Sequence, residues 1–471
     1  MNLRARLDED ILSRCRTASH LIEIGKYEAA QEALEGFWRG IGKQPNLENL
    51  PLQISAEVLL QCGTLSGWLG TTQQLDVQEA AKDLISQAEH AFQSRKNNFK
   101  VSDAQYELGM CYWRCGAFSE ARLILGKALE NLEDTELQAK ILIRKTLIEI
   151  STGRYHEAWN ILDSIKPSFE SLSDVLKGKW HGQMALVLRR IANAEHRPEY
   201  IDRAIIEFVA AIYHYEQAGH ERYCATNLNN LAMLLYPLER YEEAHEHLDR
   251  ATKKLESIKD VGLIAQVNET RARVFLAEKY YPETLQVIAG VVGILEKGGE
   301  QALLSDALRI QATAMSQINP ESSLETFKRA AKVAREAGAL TSAGLANLSM
   351  IENHWKQLSE ESIFKAYDNA DRFLSNTQDL AAIMQLRKCA RIVIRKLFGQ
   401  EFDEYFNLPD VVHAYEGRFI RLALAKEKNV ITHAAKRLGI SHQRLSFILR
   451  TRHKHILNRP PMRKSIIKKK V

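Results

Sequence analysis

The stretch AQYELGMCYWRCGAFSEARLILGKA, residues 104–128, decides the fold. It contains two apolar runs of helical period, one through Leu108 and Tyr112 and one through Ala121, Leu125 and Ala128. Apolar residues three and four apart lie on one helix face, so the segment predicts two helices packed on each other. Alanine at 121 lets the two backbones approach closely, and an aromatic residue at the turn, Phe118, covers the end of the pair.

Small or apolar residues equivalent to Ala121 recur at Ala30, Ala81, Ala158, Ala204, Ala244, Thr284, Leu324 and Ile363, the last five spaced 40, 40, 40 and 39 residues apart. Aromatic residues stand at the matching turns in Tyr27, Tyr155, Tyr241 and Tyr281. Leu108-Gly109 followed by Tyr112, with Ala121, Leu125 and Ala128 on the next helix, resembles the tetratricopeptide signature. Leu228, Leu231, Ala232, Leu235, Ala244, Leu248 and Ala251 form a second matching unit, and Ala18, Leu21, Ala30, Leu34 and Phe37 a third. The resemblance spans about residues 10–375 and departs most near Glu195 and between Asn347 and Ala370. It implies an all-α, tetratricopeptide-like solenoid of about nine helix pairs in residues 1–398, wound as a right-handed superhelix with a concave inner surface. A period near 40 against roughly 34 in the minimal repeat implies longer helices or loops.

Charge divides the 471-residue chain. Of its 64 Lys and Arg and 59 Asp and Glu, 16 basic and 2 acidic residues lie from His413 to Val471. The end therefore carries +14, and the remaining 48 basic and 57 acidic residues give the body −9. Such asymmetry points to a polyanion-binding module attached to a separate body. No uncharged apolar run approaches the roughly 18 to 20 residues of a membrane span, and MNLRARLDED offers no signal core, so a cytoplasmic protein without a membrane partner is expected. Cys111 and Cys115, four apart, read as core filling.

After a linker expected at 399–410, residues 411–455 read as three short helices and 456–471 as a basic tail with too little core to fold. Val412, Phe419, Ile420, Ala423 and Leu424 mark the first helix. The second is expected to start with Thr432 as N-cap, to bury Ile431, Ala435 and Leu438, and to stop at Gly439. Ser441 caps the third, whose inner stripe is Leu445, Ile448 and Leu449. This is helix-turn-helix grammar. Glu416, Ile420, Ala423-Leu424, Thr432, Ala434-Ala435, Leu438-Gly439-Ile440-Ser441 and Leu445 resemble the Fis-type helix-turn-helix of bacterial enhancer-binding regulators. Two features depart from that family: Asn429-Val430 stands where Gly-Asn is usual, and the ATPase and receiver domains are absent. The resemblance implies sequence-specific binding of double-stranded DNA, usually by a homodimer. A LuxR-type regulator matches this pattern less well.

On that scaffold Ser441, His442, Gln443, Arg444, Ser446, Phe447 and Arg450 face outward on the third helix, a set suited to the major groove. Thr432, His433, Lys436, Arg452 and Lys454 are placed near phosphates. On the array, Asn227, Asn230, Arg271 and Arg273 are candidate contacts to a protein or peptide partner. Tyr106, Met110 and Trp113 read as core. No phosphate-binding loop or catalytic constellation emerges, and His245 and His247, two apart, point to different helix faces, so neither an enzyme, a cofactor nor a metal is expected. The sequence reads as a DNA-binding transcriptional regulator whose array binds a protein or peptide. The alternative is an interaction scaffold whose basic end holds nucleic acid non-specifically.

Overall fold

The computed structural model describes residues 3–70, 75–130, 132–298, 301–375, 377, 380–398 and 408–457, and among them all regular structure is helical. Residues 399–407 of the linker expected at 399–410 and residues 458–471 of the tail expected at 456–471 lie outside these residues, while 408–410 open a helix and 456–457 close one, so the linker and tail bounds are corrected there. The chain forms two compact units. One contains residues up to 354 together with 365–387, and the other contains 355–364 together with 388 onward.

Nine successive helix pairs are present among the described residues. They are α1 (Leu3–Glu23) with α2 (Tyr27–Ala33), α3 (Leu52–Leu69) with α4 (Leu75–Ser94), α5 (Asn98–Arg114) with α6 (Phe118–Lys127), and α7 (Thr135–Ser151) with α8 (Tyr155–Ile165). These are followed by α9 (Asp174–Glu195) with α10 (Glu199–Gln217), α11 (Glu221–Leu235) with α12 (Tyr241–Ser257), and α13 (Val261–Ala277) with α14 (Tyr281–Gly298). The last two are α15 (Gln301–Met315) with α16 (Pro320–Glu336), and α17 (Leu340–His354) with α18 (Glu360–Leu374). A single helix, α19 (Leu380–Phe398), comes next.

The register of the pairs follows from the residue that permits close approach. Ala30, Ala121, Ala158, Ala244 and Thr284 are each the fourth residue of a second helix and are fully buried. Ala81 and Ala204 are buried equally. The expected anchor Leu324 is corrected by one position: the fourth residue of α16 is Ser323, which is fully buried, while Leu324 is only half-buried. A buried serine is tolerated because its hydroxyl donates to the Ala312 carbonyl at 2.7 Å and meets His354 Nε2 at 2.8 Å. Thr284 solves the same problem inside its own helix, donating to the Tyr280 carbonyl at 2.8 Å.

The aromatic turn residues Tyr27, Phe118, Tyr155, Tyr241 and Tyr281 each open a second helix. Two positions earlier the chain turns left-handed, at φ +74° for Gly116 and +76° for Gly153. Lys279 takes the same place at +67°, a conformation that costs a side-chain-bearing residue more than glycine. First helices start with side-chain caps: Asn97 accepts from Lys100 N, Asp134 from Leu137 N and Asp260 from Leu263 N.

The first unit also turns back on itself. The guanidinium of Arg222, on α11, lies 4.7 Å from the ring centroid of Tyr27 and 3.5 Å from Glu28 Oε1. Gly25 leaves room for this contact, since a Cβ there would lie 2.6 Å from the His220 ring. The first pair thus meets the sixth.

In the second unit α20 (Leu408–Lys426), α21 (Ile431–Arg437), α22 (His442–Thr451) and α23 (Lys454–Leu457) enclose a small core of Ile420, Ala423, Leu424, Ala434, Ala435, Leu445, Ile448 and Leu449. Two expectations are corrected. Phe419 is 54% exposed rather than buried, because it lies beside Ile420 on the outer side of α20. The N-cap position of α21 is Val430, not Thr432, which sits exposed in the first turn. Asn429, standing where the Fis-type pattern has glycine, adopts φ +63°, the left-handed conformation that asparagine tolerates better than most residues. His453 is buried under α20, its Nε2 3.2 Å from Glu416 Oε2 and its ring stacked on His413 at 4.3 Å. Burial outweighs the Glu416 hydrogen bond and, with His413 and His455 nearby, pushes the imidazole below its ordinary pKa. No helix among the described residues is long and apolar enough to cross a membrane.

Two outcomes are expected. A Cβ at Gly109 would lie 2.6 Å from Leu125 Cδ2 and 2.8 Å from its Cγ, so Gly109→Val overpacks the α5–α6 crossing and costs about 1 to 3 kcal/mol, measurable as a lower urea midpoint. Because the unfolded chain takes up the His453 proton first, the stability this group contributes is complete above about pH 6.5 and is lost as pH falls through its depressed folded value. Amide exchange of α20–α23, corrected for intrinsic rates, accelerates as pH falls below about 6.5, and His453→Gln flattens that dependence.

Candidate functional site

Two surfaces concentrate chemistry, one in each unit. In the second, α21 ends at Arg437 with Leu438 as its C-cap, the chain turns at Gly439 with φ +66°, and Ser441 caps α22 by accepting from Arg444 N at 3.2 Å. Burial of Leu445, Ile448 and Leu449 rolls the opposite side of α22 outward. His442, Gln443, Arg444, Phe447 and Arg450 are exposed there, Phe447 by 63%, while Ser446 is half-buried and Ser441 occupies the exposed cap. Thr432, His433 and Lys436 are exposed on α21. Among the described residues neither Arg444 nor Arg450 forms an ion pair. Arg452 differs: its guanidinium lies 3.3 Å from Glu416 Oε1, tying the end of α22 to α20. Lys454 is exposed at the start of α23. The arrangement is one short helix presenting cations, an amide and an aromatic ring together, with further cations beside it.

The array residues singled out from sequence do not come together. Asn227 is buried, its Nδ2 donating to the Tyr223 carbonyl at 2.8 Å, and Gly182 leaves the space its Oδ1 fills. Asn230 is half-buried on the same helix. Arg271 pairs with Asp249 at 2.8 Å, whereas Arg273 binds Glu269 one turn back. His245 Nε2 contacts Glu278 at 2.8 Å and His247 has separate surroundings. Among the described residues no group of three or more His, Cys, Asp or Glu could hold a metal. All six cysteines are free thiols, with Cys111 buried and Cys115 half-buried.

What the sequence reading missed is a pocket enclosed by the first helices of six successive pairs. It encloses about 530 Å³ including its open mouth. Trp68 of α3, Tyr106 and Glu107 of α5, Arg144 of α7, Lys179 of α9 and Tyr223 of α11 line it. Tyr106 and Met110 are core residues as expected, but the Tyr106 hydroxyl accepts from Arg144 Nε at 2.9 Å. Tyr223 accepts from Arg144 Nη2 at 3.3 Å. Burial works against the guanidinium charge, yet the two phenols hold it above its ordinary pKa. Lys140 is paired with Asp103 at 3.7 Å, and Lys100 approaches the same carboxylate at 3.9 Å. Lys179 has no carboxylate partner among the described residues, its Nζ lying 5.8 Å from the Tyr223 ring centroid. Burial and the neighbouring Arg144 and Lys140 bring it down to about 7. Burial also pushes the Glu107 carboxyl up, and burial, with Lys179 nearby, takes the buried His220 down to about 3, leaving it neutral. The legible signal was charge at i and i+4 on otherwise apolar inner helices, Asp103 with Glu107 and Lys140 with Arg144.

No family model matches the sequence, and no curated protein is similar enough to it to establish a relationship. Solved structures are similar in fold. One is a Rap protein complexed with competence and sporulation factor, at TM-score 0.53 and 14% identity over 82% of this chain and 99% of that one. Another is a Signal Transduction ATPase with Numerous Domains from Pyrococcus horikoshii that carries a tetratricopeptide repeat sensor, at TM-score 0.52 and 11% identity over 73% of this chain. This chain spans 56% of that protein's length. Helix order, buried small residues at the crossings and these likenesses together identify the fold as an all-helical, tetratricopeptide-like solenoid.

Proposed function

We propose that this protein is an interaction scaffold whose repeat array holds a protein or peptide partner and whose carboxyl-terminal unit binds double-stranded DNA in a sequence-dependent way. The observation carrying the DNA reading is the outer face of α22, where Gln443, Arg444, Phe447 and Arg450 are exposed and the two arginines are unspent. A helix fits the major groove, where Arg reads guanine, Gln reads adenine and an aromatic edge touches a thymine methyl. Lys436 and Lys454 flank it as phosphate contacts. The charge of +14 from His413 onward adds attraction that weakens with salt. Phe419 and Leu422, exposed by 54% and 52% on α20, offer an apolar face for pairing with a second copy, as two DNA half-sites require. The partner reading is supported by the solenoid, which stacks its first helices into one extended surface. It is supported too by the Rap protein of similar fold, which is complexed with competence and sporulation factor. In this reading the protein regulates transcription, and partner binding alters the availability of the DNA modules.

Selection of genomic fragments by the full-length protein at about 0.15 M salt tests this, alongside an Arg444→Ala, Arg450→Ala double variant. One inverted motif is expected, with the variant losing about 2 to 4 kcal/mol of affinity for it. A single half-site would remove the dimer. Uniform, salt-labile retention of all fragments by both proteins would leave a scaffold that holds nucleic acid without reading it.

A further inference from the structure

The pocket lined by the first helices of six pairs gathers six charged side chains. Three carboxyl groups, of Glu23, Asp103 and Glu107, face three cations, of Lys140, Arg144 and Lys179. Asp103 is already shared by Lys140 and Lys100. Glu23 is exposed at the mouth. Glu107, only 8% exposed, forms no side-chain hydrogen bond among the described residues, and burial raises its pKa. Arg144 spends two of its N–H groups on phenol oxygens, and neither it nor Lys179 meets a carboxylate among the described residues. Arg144 and Lys179 thus line one space with no carboxylate in salt-bridge contact with either among the described residues, and the donors they have left are open to a ligand.

We propose that this pocket binds a small monocarboxylate with an apolar body, the carboxylate being taken by Arg144, Lys179 and the Tyr106 hydroxyl while the body lies against Ile22, Leu60 and Trp68. The remaining edge of Arg144 has the planar fork that matches a carboxylate. Because Arg144 donates to the Tyr106 oxygen, that hydroxyl keeps its own proton to donate. A doubly charged phosphate is disfavoured by Asp103 and Glu23, which line the same space. The ligand bridges helices from the first pair to the sixth, so it also fastens the turn that Tyr27 and Arg222 close. The inference rests on reading the array as a binding platform and is independent of whether the second unit reads DNA.

The test uses the full chain and calorimetry with five probes: phenylacetate, its neutral isostere phenylacetamide, inorganic phosphate, and an acetylated dipeptide as free acid and as amide. Saturable binding of phenylacetate below about 10 mM is expected, with phenylacetamide and phosphate silent. The dipeptide acid distinguishes a free small acid from the carboxyl end of a peptide as the natural source, since both present the same group. Lys179→Met should weaken phenylacetate by about tenfold or more while the unliganded variant melts no lower than the parent, because it loses a cation held beside two others. Arg144→Lys, which keeps the charge and loses the fork, should weaken it as well. The groups facing Lys179 are Arg144 and Lys140 on α7, Glu107 on α5, Glu23 on α1 and Tyr223 on α11; with these neighbours binding should tighten as pH falls from about 8.5 to 6.5 and Lys179 gains its proton. Failure of both carboxylates to bind, equal binding by Lys179→Met, or phosphate binding as well as phenylacetate would each overturn the proposal. DNA retention recorded on the same preparation keeps failure of the DNA reading separate from failure of this one.

Discussion

The array depends on one steric constraint: where the two helices of a pair cross, the second helix offers almost no side chain. A methyl at Ala30, Ala121, Ala158 and Ala244, or a self-satisfied hydroxyl at Thr284 and Ser323, brings the backbones close enough for the flanking leucines to interdigitate. Dispersion falls off steeply with separation, so the crossing position governs how well Leu125 and Leu162, or Phe208 and Phe327, fill the space on either side. Gly109 shows the same constraint from the first helix of a pair, its missing Cβ replaced by Leu125. Repetition of that single contact sets the stacking, and stacking places charged inner-helix residues opposite one another.

This explains which parts of the structure were legible in the sequence. A crossing residue is decided locally, by partners about forty positions apart or fewer, and it leaves a periodic trace. The one misplaced anchor is instructive. Leu324 is the apolar choice, yet the backbone register puts Ser323 at the crossing, where His354 and the Ala312 carbonyl absorb the hydroxyl. Periodicity alone cannot separate neighbouring candidates when the correct one is polar. The three-helix unit was legible for the same local reason: Gly439, Ser441 and the Leu445, Ile448, Leu449 stripe lie within one short segment. Its errors fell on residues whose exposure depends on rotation of a helix, as with Phe419, or on the backbone just outside one, as with Thr432 and Val430.

The pocket was hidden because its members are brought together by six helices and closed by a contact between residues 25–28 and 220–222. Nothing in the neighbourhood of Lys179 announces Arg144, and nothing near Arg144 announces Tyr223. The array residues chosen from sequence illustrate the converse. Asn227, Arg271 and Arg273 look available as a string of polar residues, but the folded chain gives each a partner of its own.

Helix α7 supplies the sharpest contrast. On one side it buries Glu149, whose side chain is 4% exposed, and supplies it with two guanidinium groups: Arg122 at 2.8 and 3.1 Å and Arg154 at 2.8 Å. Both carboxylate oxygens there meet a cation, as stability demands of a buried charge. On its inner side the same helix presents Arg144 to two phenol oxygens, and neither it nor Lys179 forms an ion pair among the described residues. A fold able to satisfy Glu149 twice over has no packing reason to leave these two cations without an ion pair. Local violations of pairing that persist beside well-satisfied ones are expected where binding sets the residues rather than stability. The two cations of the pocket that form no ion pair therefore read as half of an interaction, with the ligand supplying the other half.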